Sequence, residues 1–395
     1  MSGAQGPGHG GARLAPVVAP GPQLTREQTR RYARHLTLPG VGVEGQRRLA
    51  AGRVLVVGAG GLGSPALQYL AAAGVGTVGV VDDDVVEESN LQRQVVHRTQ
   101  DVGVPKVDSA ARAVGELNPQ VRVHRHRLRL DAGNALEVMA GYDVVLDGAD
   151  NFPTRYLIAD AAEVLGIPVV WAAIYRYTAQ VAVFWSAPRP APGHGPVEPV
   201  TYRDVFPTPP PPGSAPDCTT GGVLGAMCGT VGSVMATEAV KLLTGAGTTL
   251  LGRLAVYDAL DLTWRRLTVR RDPARTPVTV LPQGPDAYAV LCGLPTGGTD
   301  EEAAPATTGG AADLLAGGAD VRAADLDALL SARDQGAVEF ELVDVREEWE
   351  ADLTPLPGAR LVPSGRFLTA GHDLPLPQGR PVLVVCAAGG RSAAA

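Results

Sequence analysis

Cysteine, lysine and long apolar runs are all scarce in this chain of 395 residues. It has four cysteines, Cys218, Cys228, Cys292 and Cys386, and no two of them form a CxxC pair. This pattern excludes a disulfide framework, disfavours a structural zinc site and predicts a protein of the reducing cytoplasm. No apolar run is long enough and free enough of charge to span a bilayer, so we expect no membrane partner.

Positive charge is also limited, since the formal net charge is −7 and the isoelectric point is near 5.6. A nucleic-acid surface needs clustered cations, so the composition argues against nucleic acid as a partner. The only lysines are Lys106 and Lys241, and arginine supplies the remaining basic side chains. In a chain whose basic residues are almost all arginine, a lysine indicates a site that needs a compact point charge.

Composition divides the chain into four stretches. Residues 1–23 are rich in Gly, Ala and Pro and lack the features of a signal peptide, which predicts a disordered tail. Residues 24–293 alternate strand and helix patterns, which predicts a doubly wound, mostly parallel α/β sheet. Residues 294–320 have the composition of a flexible linker. Residues 321–395 show a second, smaller α/β pattern.

Periodicity and turn residues predict the elements of residues 24–293. The capping-box pattern at Thr25 opens a helix that we expect to reach about Leu36. A glycine-containing helix is expected at 223–243, after a Pro-rich and irregular stretch at 186–216. Apolar runs predict strands at 53–57, 77–81, 142–146, 167–173, 254–258 and 263–270.

A glycine-rich turn follows the first predicted strand. Gly58, Gly60 and Gly63 form a G-x-G-x-x-G at a strand-to-helix junction. Glycines let the backbone approach phosphates, and the N-terminus of the next helix presents unpaired N–H groups to them. Asp82, 19 residues past the last glycine, is suited to ribose hydroxyls. The pattern predicts a nucleotide site, and alone it would suit NAD.

Charged residues further along the chain discriminate between chemistries. Arg93 lies in SNLQRQ and Lys106 in GVPKV. Hydride transfer develops no charge at the phosphates, whereas phosphoryl or nucleotidyl transfer builds negative charge there. Asp147 and Asp150, in LDGADN, follow a strand end, where open α/β sheets bind ligands and a carboxylate can hold magnesium. The combination favours nucleotidyl transfer.

Together, GAGGLG, the acid at Asp82, SNLQRQ, GVPKV and LDGADN resemble the MoeB/ThiF-type adenylyltransferases, relatives of the ubiquitin-activating enzymes. The resemblance covers about residues 24–292 and implies their variant of the Rossmann fold. It implies ATP- and Mg²⁺-dependent adenylylation of the C-terminal glycine of a small ubiquitin-like sulfur carrier. Sulfur transfer would then form a thiocarboxylate for molybdenum cofactor, thiamine or cysteine biosynthesis.

The resemblance also implies roles for individual residues and partners. Asp150 becomes the magnesium-linked carboxylate. Arg34 matches an arginine that the family places in the neighbouring subunit's site, which implies a homodimer. The other partners implied are a MoaD/ThiS-like carrier with a C-terminal Gly-Gly and a sulfur donor. The residues implied to bind ATP or act on it are Gly58, Gly60, Gly61, Gly63, Asp82, Asn90, Arg93 and Lys106.

Cysteine positions bear on the sulfur chemistry and on zinc. Cys218 precedes a predicted helix, whose N-terminus favours a thiolate, and the resemblance implies that it is the active-site cysteine; the alternative is an inert loop thiol. Cys228 and Cys292 are expected to be structural. Many family members bind zinc through two CxxC pairs, but the matching positions read TYRD at 201–204 and TPVT at 276–279. We therefore expect no zinc, and expect packing or dimerisation to hold these loops.

The C-terminal stretch carries DVRE from Asp344, PGA from residue 357, and CAAGGR from Cys386 to Arg391. In this order they resemble the rhodanese module that is fused to some of these adenylyltransferases. The resemblance implies Cys386 as the persulfide carrier and Arg391 as its anchoring cation. The chain stops at Ala395, where a supporting helix and a last strand should begin. We therefore expect an incomplete module with weak or no sulfurtransferase activity, unless the sequence is a fragment.

Two other classes of function stay open. The glycine loop and Asp82 also permit an NAD-dependent oxidoreductase. A non-catalytic partner, like the inactive half of a two-chain activating enzyme, is the third reading, and the presence of Arg93, Lys106 and Asp150 in one chain argues against it. Carrier-dependent exchange of pyrophosphate with ATP would separate these readings, whereas the identity of the carrier cannot be read from the sequence.

Overall fold

The computed structural model describes residues 13–211, 222–294, 321, 323–364, 366 and 380–386. The chain divides into two compact units, Met1–Thr296 and Gly297–Ala395. No helix in the described ranges is both long and apolar enough to cross a membrane.

The first unit is an eight-stranded sheet with helices packed against it. The strands run in the spatial order β3-β2-β1-β4-β5-β6-β7-β8. The strands are β1 (Arg53–Val57), β2 (Thr77–Val81), β3 (Arg122–His126), β4 (Val144–Asp147), β5 (Val169–Tyr175), β6 (Thr178–Phe184), β7 (Arg253–Asp258) and β8 (Thr263–Thr268). The helices described are α1 (Arg26–Arg31), α2 (Ala33–Leu36), α3 (Gly42–Ala51), α4 (Gly63–Ala73), α5 (Lys106–Leu117), α6 (Ala135–Met139), α7 (Phe152–Leu165), α8 (Gly225–Thr244) and α9 (Ala287–Leu291).

The sheet is parallel from β3 to β5 and antiparallel from β5 to β8. The central strands β1 and β4 are continuous apolar runs because helices cover both of their faces. In their register Val56 lies opposite Val80 on one side and Leu146 on the other. These strands confirm the doubly wound, mostly parallel sheet that the sequence predicts.

The strand order reverses at β1, which lies between β2 and β4. Right-handed connections therefore lead away from β1 in opposite directions and leave a crevice at the carboxyl ends of β1 and β4. The glycine loop follows β1, and Asp147 ends β4. The topology thus brings two of the predicted motifs to one edge of the sheet.

Helix α8 packs against α4 and against β5 and β6. The two helices approach so closely that a Cβ at Gly232 would lie 2.4 Å from Pro65 Cγ. Leu67 and Leu70 of α4 are fully buried, and burial of each side chain contributes about 2 kcal/mol. This packing fixes the start of α4, and with it the glycine loop.

Residues 13–23, which the sequence assigns to a disordered tail, are ordered within the first unit. Leu14 is 4% exposed and belongs to the core. The Val17 N–H donates to the Leu242 carbonyl at 3.0 Å. The expectation of disorder is therefore wrong for these residues, because a few apolar side chains pack against the core despite the overall composition of the stretch. Residues 1–12 lie outside the described ranges.

Other elements differ from expectation in detail. The helix expected from Thr25 to Leu36 has the predicted capping box, but it is interrupted at Tyr32. The buried hydroxyl of Tyr32 accepts a hydrogen bond from Asn118 Nδ2 at 2.9 Å, which fixes the break. Strand β3 was not predicted because its RVHRH sequence is polar, and β6 was not predicted either.

In the described part of the second unit, three parallel strands form a sheet. A small apolar core forms around Leu329, Phe340 and Leu342. The expected linker lies outside the described residues apart from Leu294. The elements are α10 (Ala323–Asp334), β9 (Glu341–Asp344), α11 (Glu348–Leu353), β10 (Arg360–Leu361) and β11 (Val382–Val385), and the strands lie in the order β10-β9-β11.

Candidate functional site

A cavity of about 340 Å³ lies in the crevice at the carboxyl ends of β1, β2 and β4. Apolar side chains, including Val81, Leu128 and Leu130, form part of its wall. Charged side chains form another part, so the cavity can accept a molecule with both an aromatic and a strongly anionic portion. The predicted site residues that line it are Gly58, Gly60, Gly61, Asp82, Arg93, Lys106 and Asp150.

The glycines of the loop have different structural roles. Gly58 has φ 90°, a conformation that side chains with a Cβ rarely adopt. A Cβ at Gly63 would lie 1.9 Å from the Gly58 carbonyl oxygen, so Gly63 serves close backbone packing and does not line the cavity. A Cβ at Gly60 would meet only Gln94 Nε2, at 3.8 Å. Backbone at Gly60 is therefore open to a ligand.

Asp82 is tied to the loop by backbone donors. Its Oδ2 accepts the Ala59 N–H at 2.8 Å, and its Oδ1 accepts the Asp84 N–H at 3.0 Å. Burial raises the pKa of Asp82 above its ordinary value, although Lys106 and the two N–H donors oppose that effect. The carboxylate is thus fixed at the edge of the cavity.

Lys106 begins α5 and is almost completely buried, with its side chain 9% exposed. Its Nζ lies 2.7 Å from Asp84 Oδ2, and its backbone N–H donates to the Asp84 carbonyl at 2.9 Å. The ammonium group therefore stands in the cavity wall, neutralised by an exposed carboxylate. A triphosphate entering the cavity would offer it a second anionic partner.

Arg93 and Asn90 share one turn but occupy different environments. Arg93 lines the cavity, and its Nη1 donates to the Ser89 carbonyl at 3.1 Å. Asn90 is 7% exposed and is not part of the lining. Its Oδ1 accepts the Glu87 N–H at 3.2 Å. In this structure Asn90 shapes the turn that presents Arg93.

Asp150 lies exposed at the cavity, in the loop between β4 and α7. Behind it, Asp147 is fully buried, and its Oδ1 accepts the Ala149 N–H at 2.9 Å. Burial raises the pKa of Asp147 to about 6, although Arg155 opposes the effect. Arg155 Nε donates to the Ala149 carbonyl at 3.1 Å, so Asp147 and Arg155 fix the turn from both sides. An exposed carboxylate on a fixed turn is the hard oxygen ligand that Mg²⁺ prefers.

Several lining residues were not assigned a role from the sequence. Gln94 lies within the SNLQRQ motif and is 4% exposed, and its Oε1 has no hydrogen-bond partner among the described residues. The motif itself was the signal that could have identified it. Arg155 follows LDGADN by one helical turn. The other unassigned polar residues of the lining are Asp83, Asp84, Arg129, Asn151 and Thr154.

The outcome differs for the remaining predicted site residues. Arg34 is exposed on α2 and is not part of the lining. Cys218 lies outside the described residues. Cys386 follows β11 in the second unit and packs with Val343 and Val345.

The remaining cysteines are buried in the first unit, as expected. Cys228 is 3% exposed, and Cys292 is 6% exposed. Cys228 has a further position that the sequence did not indicate, since it lines the cavity. A Cβ at Gly61 would lie 2.8 Å from its sulfur.

The second lysine has a structural partner. Lys241 pairs with Glu238, which is 3% exposed, and its Nζ donates to the Thr248 carbonyl at 2.8 Å. Glu238 Oε2 accepts the Leu250 N–H at 2.8 Å. This cluster ties the loop after α8 to that helix, so only one of the two lysines lines the cavity.

Ion pairs occupy the region of the TYRD and TPVT segments. Arg203 binds both oxygens of Asp160, at 2.6 and 2.7 Å. Arg275 binds both oxygens of Glu163, at 3.0 and 2.7 Å, and also Asp204 at 3.1 Å. These arginines join α7 to the segments at 201–204 and 272–279. Largely buried side-chain ion pairs therefore hold these loops against α7.

Comparisons with known proteins agree with this geometry. The ThiF family profile matches residues 32–278. The chain is 48% identical to the probable adenylyltransferase/sulfurtransferase MoeZ of Mycobacterium tuberculosis, over 97% of this chain and 91% of that protein. It is 54% identical to a sulfur carrier protein adenylyltransferase of Thermus thermophilus, over 64% of this chain and 92% of that protein.

Among solved structures, the Escherichia coli enzyme MccB bound to ATP superposes with a TM-score of 0.52 at 17% identity, over 64% of this chain and 74% of that one. A likeness at this level of identity supports the fold alone. The sequence relatives go further, because they match across nearly their whole length. The chain belongs to the ThiF family.

Proposed function

We propose that this protein uses ATP to adenylylate the C-terminal carboxylate of a small sulfur-carrier protein. One observation carries the proposal: a single cavity joins the bare backbone of the glycine loop to Asp82, Arg93, Lys106 and Asp150. The MoeZ and Thermus relatives, named for adenylyl transfer, support the same activity.

Nucleotide binding follows from the composition of the cavity wall. The adenine ring would lie against apolar residues such as Val81 and Leu130. The fixed carboxylate of Asp82 would accept hydrogen bonds from the ribose hydroxyls. The phosphates would extend over Gly60 and Gly61 towards the N-terminus of α4, whose unpaired N–H groups attract anions.

The transfer step needs positive charge near the phosphates. The carrier carboxylate attacks the α-phosphorus, pyrophosphate leaves, and no protein nucleophile is required. Arg93 and Lys106 would offset the negative charge that accumulates on the oxygens in the transition state. Asp150 would hold Mg²⁺, which when bound neutralises phosphate charge and orients the triphosphate.

Sulfur transfer and assembly complete the proposal. Cys218 would take part in handling sulfur after the adenylate forms, and Cys386 would carry a persulfide in the second unit. Arg34 would reach a neighbouring subunit's cavity in a homodimer. The partners are a carrier ending in Gly-Gly and a sulfur donor, in the cytoplasm. Zinc is not part of the proposed enzyme.

Assays on one preparation of the protein separate the three readings of the sequence. Purified protein is mixed with Mg²⁺-ATP, labelled pyrophosphate and candidate carriers, and label appearing in ATP is measured. Carrier-dependent exchange is expected, and Asp150→Ala should abolish it while the variant stays folded by circular dichroism. Absence of ATP binding, or reduction of a nicotinamide by the same preparation, would contradict the proposal in favour of an oxidoreductase. ATP binding without exchange with every carrier would favour a non-catalytic partner.

Sulfur transfer is tested on the same mixture. With a sulfur donor present, mass spectrometry of the carrier should detect a C-terminal thiocarboxylate. Cys218→Ala should lose the thiocarboxylate and keep pyrophosphate exchange. Loss of exchange in that variant would contradict the division of labour between the nucleotide cavity and the thiol.

A further inference from the structure

A buried histidine lies directly behind the glycine loop. His97 is 5% exposed. Its Nε2 lies 3.0 Å from the Ala59 carbonyl oxygen, and its Nδ1 lies 2.8 Å from Ser109 Oγ on α5. It thereby connects the loop that follows β1 with the helix that begins at Lys106.

The contact continues away from the cavity through buried polar groups. Ser109 Oγ lies 2.7 Å from Asp101 Oδ2, and both residues are almost completely buried. Asp101 also accepts the Arg98 N–H at 3.0 Å and pairs with the guanidinium of Arg112. Burial would raise the pKa of Asp101, but its hydrogen bonds and Arg112 hold it below the ordinary value. Asp101 is therefore an ionised acceptor at neutral pH.

The donor and acceptor properties of these groups determine the position of one hydrogen. The Ala59 carbonyl can only accept, so the hydrogen between it and His97 must be on Nε2. Ser109 has a single hydroxyl hydrogen, which can point to Asp101 or to His97 Nδ1. As placed, the Ser109 hydroxyl donates to Asp101, so the Nδ1–H of cationic His97 would be the donor to Ser109. In neutral His97 protonated on Nε2 the Ser109 hydrogen turns to Nδ1, and the bond from Ser109 to Asp101 is lost. The bond from Nε2–H to Ala59 is present in both arrangements.

The Ala59 peptide is therefore held on both sides. Its N–H is bound by Asp82 and its carbonyl by His97. Ser64 Oγ is a second, longer donor to the same carbonyl, at 3.4 Å. Ala59 itself is fully buried between Gly58 and Gly60, two of the residues that line the cavity.

We propose that His97 is a positioning residue for nucleotide binding, because its Nε2–H fixes the Ala59 peptide and so sets the spacing between the open glycine backbone and Asp82. Glycines leave this loop with unusual conformational freedom, so external hydrogen bonds must define one conformation. A loop fixed before binding loses less entropy when the ligand arrives. This inference rests on the proposed nucleotide function.

Charged groups near His97 act in opposite directions on its protonation. Burial lowers the pKa of His97 below its ordinary value; the Ala59 carbonyl and Asp101 oppose that effect, while Lys106 and Arg112 reinforce it. The neutral form, with its hydrogen on Nε2, is therefore expected at neutral pH. His97 should therefore cause no change in nucleotide affinity between neutral and moderately alkaline pH.

Two substitutions separate the two ring nitrogens. The amide nitrogen of Gln reaches about the position of Nε2, so His97→Gln retains a donor to Ala59. The side chain of Asn is shorter, so in His97→Asn the amide nitrogen reaches only the position of Nδ1. The Ala59 carbonyl then loses the donor that His97 supplied. Each full-length variant is titrated with Mg²⁺-ATP by calorimetry, and KM and kcat are measured in carrier-dependent exchange. His124→Asn, at an exposed histidine of β3, is the matched control.

The expected result is specific to the nitrogen. His97→Asn should weaken ATP binding and raise KM about tenfold, corresponding to about 1.4 kcal/mol, the size of one hydrogen bond. Its kcat should change less than about twofold, because the residue does not touch the transferred phosphate. His97→Gln and His124→Asn should stay within about twofold of wild type for every parameter.

Equal KM values for wild type and His97→Asn, or equal defects in the Asn and Gln variants, would overturn the proposal. Wild-type protein that binds no ATP would instead overturn the proposed function. If His97→Asn does not fold, long-range ¹H–¹⁵N spectra of wild type, with the His97 signal assigned from His97→Gln, carry the test. An imidazole protonated on Nε2, whether neutral or cationic, supports the proposal, and a neutral imidazole protonated only on Nδ1 contradicts it.

Discussion

Lys106 Nζ lies 2.7 Å from Asp84 Oδ2 in the cavity wall. The lysine that is proposed to meet ATP therefore already has a partner, and the nucleotide must compete for it. Asp84 is the exposed member of this pair, with its side chain 66% exposed, so it is free to move away when phosphate arrives.

We expect Asp84→Asn to lower KM for ATP about threefold, because an amide keeps an acceptor for Lys106 while removing a charge that repels triphosphate. Steady-state pyrophosphate exchange measures the effect. Asp83→Asn removes a neighbouring charge from the same lining without breaking this pair, and should have a smaller effect. A higher KM for Asp84→Asn would show that Asp84 mainly holds Lys106 in place.

We expect Gln94 to contact the ligand, because its buried Oε1 has no hydrogen-bond partner among the described residues. A buried carboxamide oxygen without a donor costs about 1–3 kcal/mol. Gln94→Leu should therefore leave the stability of the free protein unchanged or higher, while raising KM for ATP about tenfold. Thermal unfolding without ligand and exchange kinetics are the two measurements. Gln92→Leu, at an exposed position of the same motif, serves as the control; equal KM values in the two variants would rule out the contact.

Arg275 should matter for stability more than most surface arginines. Its side chain is 13% exposed, while Glu163 and Asp204 beside it are 6% and 1% exposed. Arg275→Leu leaves two buried carboxylates without their cation, so we expect a loss of about 3 kcal/mol in the free energy of unfolding by urea. Arg98→Leu breaks an exposed pair with Glu116 and should cost less than about 1 kcal/mol.

The same region distinguishes ion pairs from metal. Addition of a zinc chelator should not change the urea midpoint of wild type. A chelator-sensitive midpoint, or stoichiometric zinc in the purified protein, would contradict the expectation of a zinc-free enzyme.

The raised pKa of Asp147 predicts that its contribution to the stability of the folded protein decreases as the pH rises. Its pKa of about 6 in the folded protein is above the ordinary value of 3.8, so folding is favoured when it is protonated. That contribution is complete below about pH 4 and is lost as pH rises through 6. Asp147→Asn should therefore gain about 2 kcal/mol relative to wild type between pH 4 and pH 7. Urea unfolding followed by tryptophan fluorescence at both pH values tests this; a constant difference would contradict it.

Pattern and spacing were sufficient to predict the framework of the site. β1 and the acid that follows β2 were predictable because parallel central strands are short apolar runs with ligand residues at their carboxyl ends. Gly58 and Asp82 meet for this reason. The second motif near Asp150 joins them because β4 pairs with β1, a pairing that the doubly wound order implies.

Features that depend on tertiary contacts could not be predicted. Leu14 is buried in the core although the surrounding stretch is rich in Gly, Ala and Pro, and Val17 and Val18 pack against the same core. His97 gave no local signal, since its partners Ala59 and Ser109 are far from it in sequence. Asn90 was expected to reach the phosphates, but the backbone of its own turn binds its side chain. That role in ATP binding stays a prediction.

The scarcity of lysine has a chemical consequence once both side chains are placed. Their exposed fractions are 9% and 22%, and a carboxylate holds each ammonium group. A mixed anhydride of a carrier tail and AMP reacts readily with free primary amines. An enzyme surface built on guanidinium groups offers such a product few sites for self-acylation, so the activated tail can persist until a sulfur nucleophile arrives.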